Sequence, residues 1–441
     1  MYNQAIENLA IDKLRNLQSE RLQAMLQRQY NNIPFYKKQF DEAGIDLKRI
    51  KRIEDLHQLP FTKKTDLRDN YPYKLSAVPE SEFARIHASS GTTGKPTVVT
   101  YTKNDLEVFG EVVARSLYAA GARPGMKIHN AYGYGLFTGG LGVHMGAEKL
   151  GMAVIPVSGG MTERQLMILQ DFKPDVITCT PSYAQTLAEG CKQNGIDTSK
   201  LNVKYAVIGA EPWTEAVRQD IEKGLNVKAT NIYGLSEIIG PGVSQEDVDE
   251  QGTGSYIWED HFYPEIVDKD TKKPLPYGEE GVLVFTTLTK EAMPFCRYWT
   301  NDICTLNYDP NGKRTHIKMG EIKGRADDML IIRGVNLFHT QIESVLTDFE
   351  RLAPQYQLVV ENNGRMDTVL VKVEKEETFQ NDYNSLSDAR KAELDAELCK
   401  KLVKKIKDNV GLTMKVEVIN CGDIPRSAGG KLSRILDLRK K

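Results

Sequence analysis

Residues 89–97 read Ser-Ser-Gly-Thr-Thr-Gly-Lys-Pro-Thr and combine the residue types that bind phosphate groups. Backbone N–H groups of glycine, hydroxyl donors and the mobile cation of Lys95 together suit a polyphosphate. The loop differs from a Walker loop, because the pattern G-x-x-x-x-G-K-[ST] requires Gly at position 89 and Ser or Thr at position 96. It therefore indicates a nucleotide but not a P-loop kinase or ATPase. A plain solvated connection is the alternative.

Five further stretches place polar residues after apolar runs or in Gly-rich loops. They are 209–212 (Gly-Ala-Glu-Pro), 233–237 (Tyr-Gly-Leu-Ser-Glu), 298–302 (Tyr-Trp-Thr-Asn-Asp), 324–329 (Gly-Arg-Ala-Asp-Asp-Met) and 425–431 (Pro-Arg-Ser-Ala-Gly-Gly-Lys). With 89–97, they resemble in order and spacing the motifs of adenylate-forming enzymes: acyl- and aryl-CoA ligases, luciferases and peptide-synthetase adenylation domains. Closer likeness to the phenylacetate-CoA ligase branch comes from residues 33–36, 61–68, 132–140, 258–262 and 332–336.

The resemblance implies a reaction in two steps. A carboxylate attacks the α-phosphate of ATP and pyrophosphate leaves, and then the thiol of coenzyme A attacks the acyl-adenylate and AMP leaves. Because the acid and ATP are both anions, the site must supply positive charge and oriented donors. The nucleotide-binding residues that the resemblance implies are Ser89, Ser90, Gly91, Thr92, Thr93, Gly94, Lys95, Gly209, Ala210, Glu211, Pro212, Tyr233, Gly234, Ser236, Glu237, Asp302, Arg325 and Lys431.

Separate roles follow for the members of this set. Residues 89–95 would hold the β- and γ-phosphates, and Glu237 would bind Mg²⁺, which prefers oxygen ligands. Tyr233 offers an aromatic face for adenine, with residues 211–212 lining the same slot, and Asp302 would accept the ribose hydroxyls, with Arg325 nearby. Taken singly, each has a plain alternative, such as a core tyrosine, a solvated carboxylate or a surface ion pair.

The resemblance also implies a mobile C-terminal domain. Lys431 would be the catalytic lysine, acting with Glu237 and Thr93, and the preceding two glycines give its loop backbone freedom. The hinge would be Asp327. After adenylation the small domain would rotate, withdraw Lys431 and bring residues 333–334 (Arg333 and Gly334) to the coenzyme A thiol step.

An aromatic acid is the predicted second substrate, with phenylacetate favoured. Residues 132–142 interleave aromatic rings with glycines, which gives flat apolar walls and room for a ring. The candidate acid-binding residues are Tyr132, Phe137, Gly209, Ala210, Pro241 and Lys64. A different aryl or acyl acid (benzoate-like or indole-acetate-like) and a degenerate relative that binds nucleotide without ligation remain alternatives.

Three departures from the family pattern stand out. Asn301 occupies a position where relatives often have Gly or His, and His339 stands where they often have Pro. Some relatives bind a structural zinc through Cys and His residues, but the stretches 245–256 and 309–313 contain neither residue type here. We therefore expect no zinc site.

The alternation of apolar runs and helical patterns along the chain predicts an α/β protein of two domains. Apolar runs at 97–101, 152–157, 176–179 and 203–208 alternate with helical patterns, which favours a mostly parallel sheet with ligands at its carboxyl edge. Residues 255–335 have shorter strands and turn residues, which suggests an antiparallel or barrel-like part. The predicted domains are 1–327, which binds nucleotide and acid, and a small mobile α+β domain over 328–441, with leucines every fourth residue from 394.

Composition places the protein among ordinary globular chains. Its 441 residues carry a formal net charge of −2, which offers no case for nucleic acid or an anionic membrane. No apolar run is long enough for a membrane span, and six scattered cysteines without a C-x-x-C pair indicate reduced thiols. The expected location is the cytoplasm, and a homodimer is possible by analogy with relatives.

Overall fold

The computed structural model describes residues 1–89, 96–326, 330–332, 335–362, 367–425 and 434–439. Internal contacts divide the chain into two units: Met1–Glu211 with Ile221–Ile322, and Pro212–Asp220 with Lys323–Lys441. The boundary near residue 322 lies five residues before the predicted hinge at Asp327, which is itself outside the described residues.

Helices and strands alternate along most of the chain. The helices are α1 Gln4–Glu7, α2 Ile11–Asn32, α3 Pro34–Glu42, α4 Lys64–Asp69, α5 Lys103–Ala119, α6 Thr138–Leu150, α7 Thr162–Asp171, α8 Pro181–Gln193, α9 Glu215–Leu225, α10 His339–Leu346, α11 Glu377–Asn384 and α12 Asp388–Val410. The strands are β1 Arg85–Ser89, β2 Thr97–Tyr101, β3 Lys127–Asn130, β4 Ala153–Ile155, β5 Val176–Cys179, β6 Tyr205–Gly209, β7 Lys228–Leu235, β8 Gly240–Glu246, β9 Ser255–Ile257, β10 Phe262–Val267, β11 Gly281–Thr287, β12 Tyr298–Cys304, β13 Leu306–Asn307, β14 Lys318–Met319, β15 Gly324–Arg325, β16 Leu330–Ile332, β17 Val335–Leu337, β18 Leu352–Asn362, β19 Asp367–Lys375, β20 Lys415–Ile419 and β21 Ile435–Asp437.

The main sheet of the first unit has nine strands in the order β13-β14-β9-β8-β7-β6-β5-β3-β4. Strands β4, β3, β5, β6 and β7 are mutually parallel, and β7 pairs antiparallel with β8. Buried apolar runs such as Val-Ile-Thr-Cys in β5 fit a strand covered by helices on both faces. The predicted α/β arrangement is present, and the carboxyl ends of β3, β5, β6 and β7 lie along one edge.

Residues 262–304 contribute a second, antiparallel sheet to the first unit. Strand β11 pairs with β10 on one side and with β12 on the other. Every residue of β11 is buried. In the part of the chain that the structure describes, this sheet is open and does not close into a barrel. It carries Asp302 on β12.

The second unit has its own core. Four strands in the order β20-β19-β18-β21 form its sheet. Helix α12 buries the predicted row of apolar residues, Leu394, Leu398, Leu402 and Ile406. Gly411, at φ 75°, caps this helix in the left-handed conformation. No helix among the described residues has the length and apolarity needed to cross a membrane.

Candidate active site

Two glycines bring backbone segments close together at the carboxyl edge of the main sheet. A Cβ atom on Gly209, the last residue of β6, would lie 2.1 Å from the carbonyl oxygen of Ile232 on β7. A Cβ atom on Gly234 would lie 1.9 Å from the carbonyl oxygen of Gly240. Any larger residue would push these strands apart. The close approach therefore requires glycine at both predicted nucleotide-binding positions.

Tyr233 and Asp302 meet, although they lie on different sheets. The Tyr233 hydroxyl donates a hydrogen bond of 2.6 Å to Oδ2 of Asp302. The Tyr233 ring stacks on Phe285 of β11, with ring centroids 6.3 Å apart and an interplanar angle of 28°. The pair thus places an aromatic ring and a carboxylate side by side at the sheet edge.

Ala210 and Glu211 follow β6 directly. Ala210 has φ 71°, in the left-handed region that non-glycine residues seldom adopt, and such strained positions cluster at ligand sites. Oε2 of Glu211 accepts a long hydrogen bond of 3.4 Å from the backbone N–H of Ser182. Its Oε1 is buried and has no hydrogen-bond partner among the described residues. This carboxylate therefore retains acceptor capacity at the end of β6.

Glu237 presents a nearly buried carboxylate. Its side chain is 8% exposed, and Oε1 lies 4.0 Å from Nζ of Lys64, at the start of α4. Among the residues that the structure describes, Lys64 is the partner with which this carboxylate forms an ion pair. Since its lone pairs are not used by internal hydrogen bonds, the carboxylate fits a hard cation such as Mg²⁺. Two sequence predictions, Glu237 and Lys64, are thereby brought together.

Ser236 is anchored to α6. Its Oγ lies 2.9 Å from Oγ1 of Thr138, the first residue of that helix, and both side chains are buried. Pro241 packs near the same helix, since a Cβ atom on Gly142 would lie 3.1 Å from its Cγ. The turn after β7 and the start of α6 are therefore adjacent.

Tyr132 and Phe137 have different surroundings. Tyr132 is 5% exposed, whereas Phe137 is 37% exposed at the N-terminal end of α6. Burial, together with the nearby Cys179 and Glu211, raises the pKa of Tyr132 well above its ordinary value. Its phenol therefore stays protonated. The buried Tyr132 ring is the better placed of the two predicted walls, and both assignments remain predictions.

Asn130, which the sequence did not single out, holds the loop that contains Tyr132. Its Nδ2 donates to Oη of Tyr134 and to the carbonyl of Gly140, both at 2.8 Å. Its Oδ1 accepts from Oγ1 of Thr178 at 3.0 Å and from the backbone N–H of Tyr132 at 3.3 Å. Strand β3 reads Lys-Ile-His-Asn, with one apolar residue, so the sequence offered little signal for the buried hydrogen bonds of Asn130.

The strands on either side of the opening loop form an antiparallel pair. Strands β1 and β2 are antiparallel, and Ser89 pairs with Thr97. The predicted phosphate-binding residues Ser90, Gly91, Thr92, Thr93, Gly94 and Lys95 lie outside the described residues.

Most of the predicted functional residues on the C-terminal side also lie outside the described part of the chain. Asp327, Arg333, Gly334 and the catalytic candidate Lys431 lie there. Arg325 is on β15 and belongs to the second unit. Pro212 also belongs to the second unit. These assignments therefore remain predictions.

The two unusual residues have local explanations. Asn301 has φ 69°, a conformation that Gly and Asn adopt more readily than most residues, and its Oδ1 accepts from Nε1 of Trp299 at 2.7 Å. His339 begins α10, where Pro is also well accommodated, and its Nδ1 lies 2.9 Å from Oη of Tyr356. Burial, aided by the charge of Arg434, lowers the pKa of His339 to about 4.

Ion pairs occupy the stretches where some relatives hold zinc. Lys313 pairs with Asp247 at 3.0 Å and with Asp249 at 2.5 Å. Lys318 pairs with Asp309 at 2.9 Å and with Glu250 at 3.2 Å. No group of three or more potential metal ligands occurs within the described ranges.

Comparison with known proteins gives a family for the chain. A family model described as AMP-binding enzyme matches residues 14–289, and one described as AMP-binding enzyme C-terminal domain matches residues 334–439. "Phenylacetate-coenzyme A ligase" of Thermus thermophilus is 60% identical over 446 residues, which is 100% of each chain. "Phenylacetate-coenzyme A ligase" of Escherichia coli is 51% identical over 98% of this chain and 97% of that protein.

A solved structure supports the same conclusion. The crystal structure of 2-hydroxyisobutyryl-CoA ligase, in the postadenylation state in complex with R3-HIB-AMP, matches with a TM-score of 0.89. It is 27% identical in sequence, and the match covers 98% of this chain and 91% of that chain. The predicted fold class and the family resemblance are thereby confirmed.

Proposed function

Since the chain belongs to the AMP-binding enzymes and, within them, to the phenylacetate-coenzyme A ligases, we propose that it joins phenylacetate to coenzyme A in an ATP-dependent reaction. The reaction passes through phenylacetyl-adenylate and releases pyrophosphate and then AMP. One geometric observation carries the proposal: Tyr233 and Asp302 are hydrogen-bonded to each other, and together they present a ring and acceptor oxygens that match an adenosine.

The nucleoside is held at the carboxyl ends of β6 and β7. Adenine stacks on the face of Tyr233, and Oε1 of Glu211 supplies a buried acceptor. The ribose hydroxyls donate to the Asp302 carboxylate, which the Tyr233 hydroxyl orients. Gly209 and Ala210 contribute the backbone at the end of β6 to this site. Arg325 completes the nucleotide site in this proposal.

Glu237 is the Mg²⁺ partner. Mg²⁺ would neutralise part of the phosphate charge when bound there. The nearly buried Glu237 carboxylate supports this role. Within the described residues its ion-pair partner is the Lys64 ammonium, at the long distance of 4.0 Å, so its oxygens can still bind a cation. Lys64 holds the carboxylate before the ligand arrives and then interacts with the acid or a phosphate.

In the first step, a carboxylate oxygen of the acid attacks the α-phosphorus of ATP. The bond from that phosphorus to the bridging oxygen breaks, and pyrophosphate departs. Residues 89–95, including Thr93 and Lys95, hold the β- and γ-phosphates. Lys431 bridges the acid carboxylate and the α-phosphate as charge develops.

In the second step, the thiolate of coenzyme A attacks the acyl carbon, the bond from that carbon to the AMP oxygen breaks, and AMP departs. Residues 328–441 rotate about Asp327 between the two steps, and the loop at Arg333 and Gly334 then faces the thiol. Gly334 allows the pantetheine arm to approach the backbone closely.

The acid lies against Tyr132, with Phe137, Gly209, Ala210 and Pro241 completing the pocket. Tyr132 supplies a buried aromatic wall whose position Asn130 fixes through the backbone of the same loop. A ring of phenylacetate size suits such a wall better than a long aliphatic chain.

A screen of carboxylic acids for coenzyme A-dependent AMP release tests the proposal. We expect phenylacetate to have the highest kcat/KM, above benzoate and indole-acetate. Turnover of acids but of no arylacetate would contradict the substrate assignment and favour a different acid. Nucleotide binding without AMP release with any acid would instead favour a degenerate, non-ligating protein.

We further propose a cytoplasmic homodimer, by analogy with relatives. Light scattering on the purified protein measures the mass, and fractionation of the source cells gives the location. A monomeric mass of 49.6 kDa at micromolar concentration would contradict the dimer.

A further inference from the structure

Lys290 is a buried lysine with no part in the proposed reaction. It lies between β11 and β12, and its side chain is 3% exposed. Among the described residues, no carboxylate oxygen lies within ion-pair distance of its Nζ, and that atom donates a hydrogen bond of 2.9 Å to the backbone carbonyl of Glu237. Burial of an ammonium group is strongly unfavourable, and here the negative charges of Asp105 and Glu237 offset it only from beyond ion-pair distance. The position of this charge therefore calls for an explanation.

The loop that carries Lys290 is fixed by Asp105 of α5. Oδ1 of Asp105 accepts from the backbone N–H of Glu291 at 2.6 Å, and Oδ2 accepts from that of Ala292 at 2.9 Å. Asp105 is itself buried and also accepts from the backbone N–H of Thr102. Three backbone donors thus use the carboxylate and attach residues 291–292 to the start of α5.

Two aromatic rings enclose the ammonium group. Nζ of Lys290 lies 5.0 Å from the ring centroid of Tyr101 and 5.5 Å from that of Phe295. Such distances allow cation–π attraction, which offsets part of the desolvation of the charge. The ammonium group therefore has a defined direction, toward the carbonyl of Glu237.

Tyr101 binds the same turn. Its hydroxyl donates to the carbonyl of Ile239 at 2.9 Å and makes a longer contact of 3.4 Å with the carbonyl of Ser236. Lys290 and Tyr101 together bind the backbone of residues 236–239, while the carboxylate of Glu237 faces Lys64. A carbonyl held in one direction restrains the ψ angle of its residue, and hence the geometry of the turn from which the side chain projects.

We propose that Lys290 is a positioning residue that orients Glu237 for the Mg²⁺ of Mg²⁺-ATP. The inference rests on the proposed function, because it takes Glu237 as the Mg²⁺ partner. Groups that orient a metal ligand from behind typically change metal affinity about 10- to 100-fold when they are removed. The effect should therefore fall on metal and nucleotide binding rather than on the acid.

The substitution Lys290→Met tests this role, because methionine keeps much of the side-chain length and removes the charge and the donor. Lys375→Met is the matched control. Lys375 is also buried, with Nζ 3.5 Å from the carbonyl of Val418 and 4.2 Å from the ring centroid of Tyr383. It belongs to the second unit and, unlike Lys290, pairs with a carboxylate, that of Asp395, at 3.4 Å.

Two measurements read out the role of Lys290. Isothermal titration of ATP at a series of Mg²⁺ concentrations gives the metal requirement for binding, and ATP–pyrophosphate exchange gives the KM values. For Lys290→Met we expect a Mg²⁺ requirement raised about 10-fold or more, with the KM for phenylacetate changed less than about 2-fold. Lys375→Met should retain the wild-type Mg²⁺ requirement, whatever its thermal stability.

An unchanged Mg²⁺ requirement in folded Lys290→Met protein would overturn the inference. If that variant does not fold, Tyr101→Phe decides, because it removes the other side-chain donor to the turn without removing a charge or a ring. A raised Mg²⁺ requirement in Tyr101→Phe supports positioning through the turn, and an unchanged one overturns it. Failure of the wild-type protein to bind ATP with Mg²⁺ would contradict the proposed function itself.

Discussion

At the scale of single residues, the proposed nucleotide site depends on contacts between motifs that are distant in sequence. Tyr233 and Asp302 are 69 positions apart, and yet their side chains share a hydrogen bond of 2.6 Å. The hydroxyl orients the carboxylate before a ligand is present. Such preorganisation lowers the free energy needed to order the site on binding.

Removal of the Asp302 charge tests the ribose contact. A hydrogen bond to a charged group contributes about 1.5–3 kcal/mol, so Asp302→Asn should raise the KM for ATP about 10- to 100-fold with a smaller effect on the acid. ATP–pyrophosphate exchange measures both values. Asp270→Asn, on an exposed turn, is the control. An unchanged KM for ATP in Asp302→Asn would argue against a ribose role.

The backbone at Asn301 predicts a sharp contrast between two substitutions. Both substitutions remove the hydrogen bond that Nε1 of Trp299 donates to Asn301, so the difference between them reports on the backbone. Because φ is 69°, the β-branched Asn301→Val should have a free energy of unfolding about 1–3 kcal/mol lower than that of Asn301→Gly. Urea unfolding of both variants measures the difference. Equal stability of the two would show that the left-handed conformation does not matter there.

At the scale of elements, residues 258–262 connect helices and strands of the first unit through buried polar contacts. Asp260 accepts two hydrogen bonds, at 2.8 Å and 2.9 Å, from the guanidinium of Arg115 on α5. Glu259 accepts from the backbone N–H of Ile317 at 2.6 Å and pairs with Arg15 of α2 at 3.2 Å. A motif that identifies the family is thus a structural junction of helices and strands.

The buried Arg115–Asp260 pair predicts a loss of stability in acid. Burial opposes ionisation of Asp260, but the neighbouring charges of His261 and Arg115 outweigh it and hold the pKa well below its ordinary value. Since the folded-state pKa is depressed, the stabilisation is present above the unfolded-state pKa of about 3.9 and is lost as the pH falls below it.

Asp260→Asn tests this element at two pH values. Breaking a buried pair costs about 3–5 kcal/mol, so the variant should be less stable at pH 7 by roughly that amount. Below pH 4 the wild-type protein should lose stability with falling pH more steeply than the variant does. Urea unfolding between pH 7 and pH 3 measures both slopes. Parallel slopes would indicate that Asp260 does not carry the depressed pKa.

The ion pairs of Lys313 and Lys318 predict a protein without structural zinc. Total-metal analysis of protein purified without chelators should find less than about 0.1 zinc per chain, because these stretches offer carboxylates already paired to ammonium groups instead of thiolates. Stoichiometric zinc would refute the prediction. As a control, the same analysis after dialysis against Zn²⁺ shows whether adventitious binding is removed by washing.

At the scale of the whole molecule, the two reactions are proposed to use the C-terminal domain in two positions. Lys431→Ala should therefore lower the rate of adenylation by about 100-fold or more, because a positioned charge at the transition state is lost. Thioester formation from supplied phenylacetyl-adenylate should stay within about 3-fold of the wild-type rate. Rapid-quench measurements of each half-reaction test this. Equal loss in both steps would argue against domain alternation.

The family, the α/β fold class and many of the candidate residues could be predicted from the sequence. Short motifs such as 233–237 and 298–302 carry that information, because residue type and order can be recognised within a short stretch of sequence. Apolar runs such as those of β5 and β6 predicted strands correctly, since burial on both faces of a parallel sheet needs continuous hydrophobic residues.

Which of these residues are in contact could be seen only in the tertiary structure. The contact of Lys64 with Glu237 and the anchoring of Tyr132 by Asn130 depend on how separate strands and helices pack. Lys290 belongs to no motif, and the loop that carries it toward Glu237 is fixed by Asp105 on helix α5. Local patterns specify residue types and periodicity, but long-range contacts arise from packing and register, which no short stretch of sequence contains.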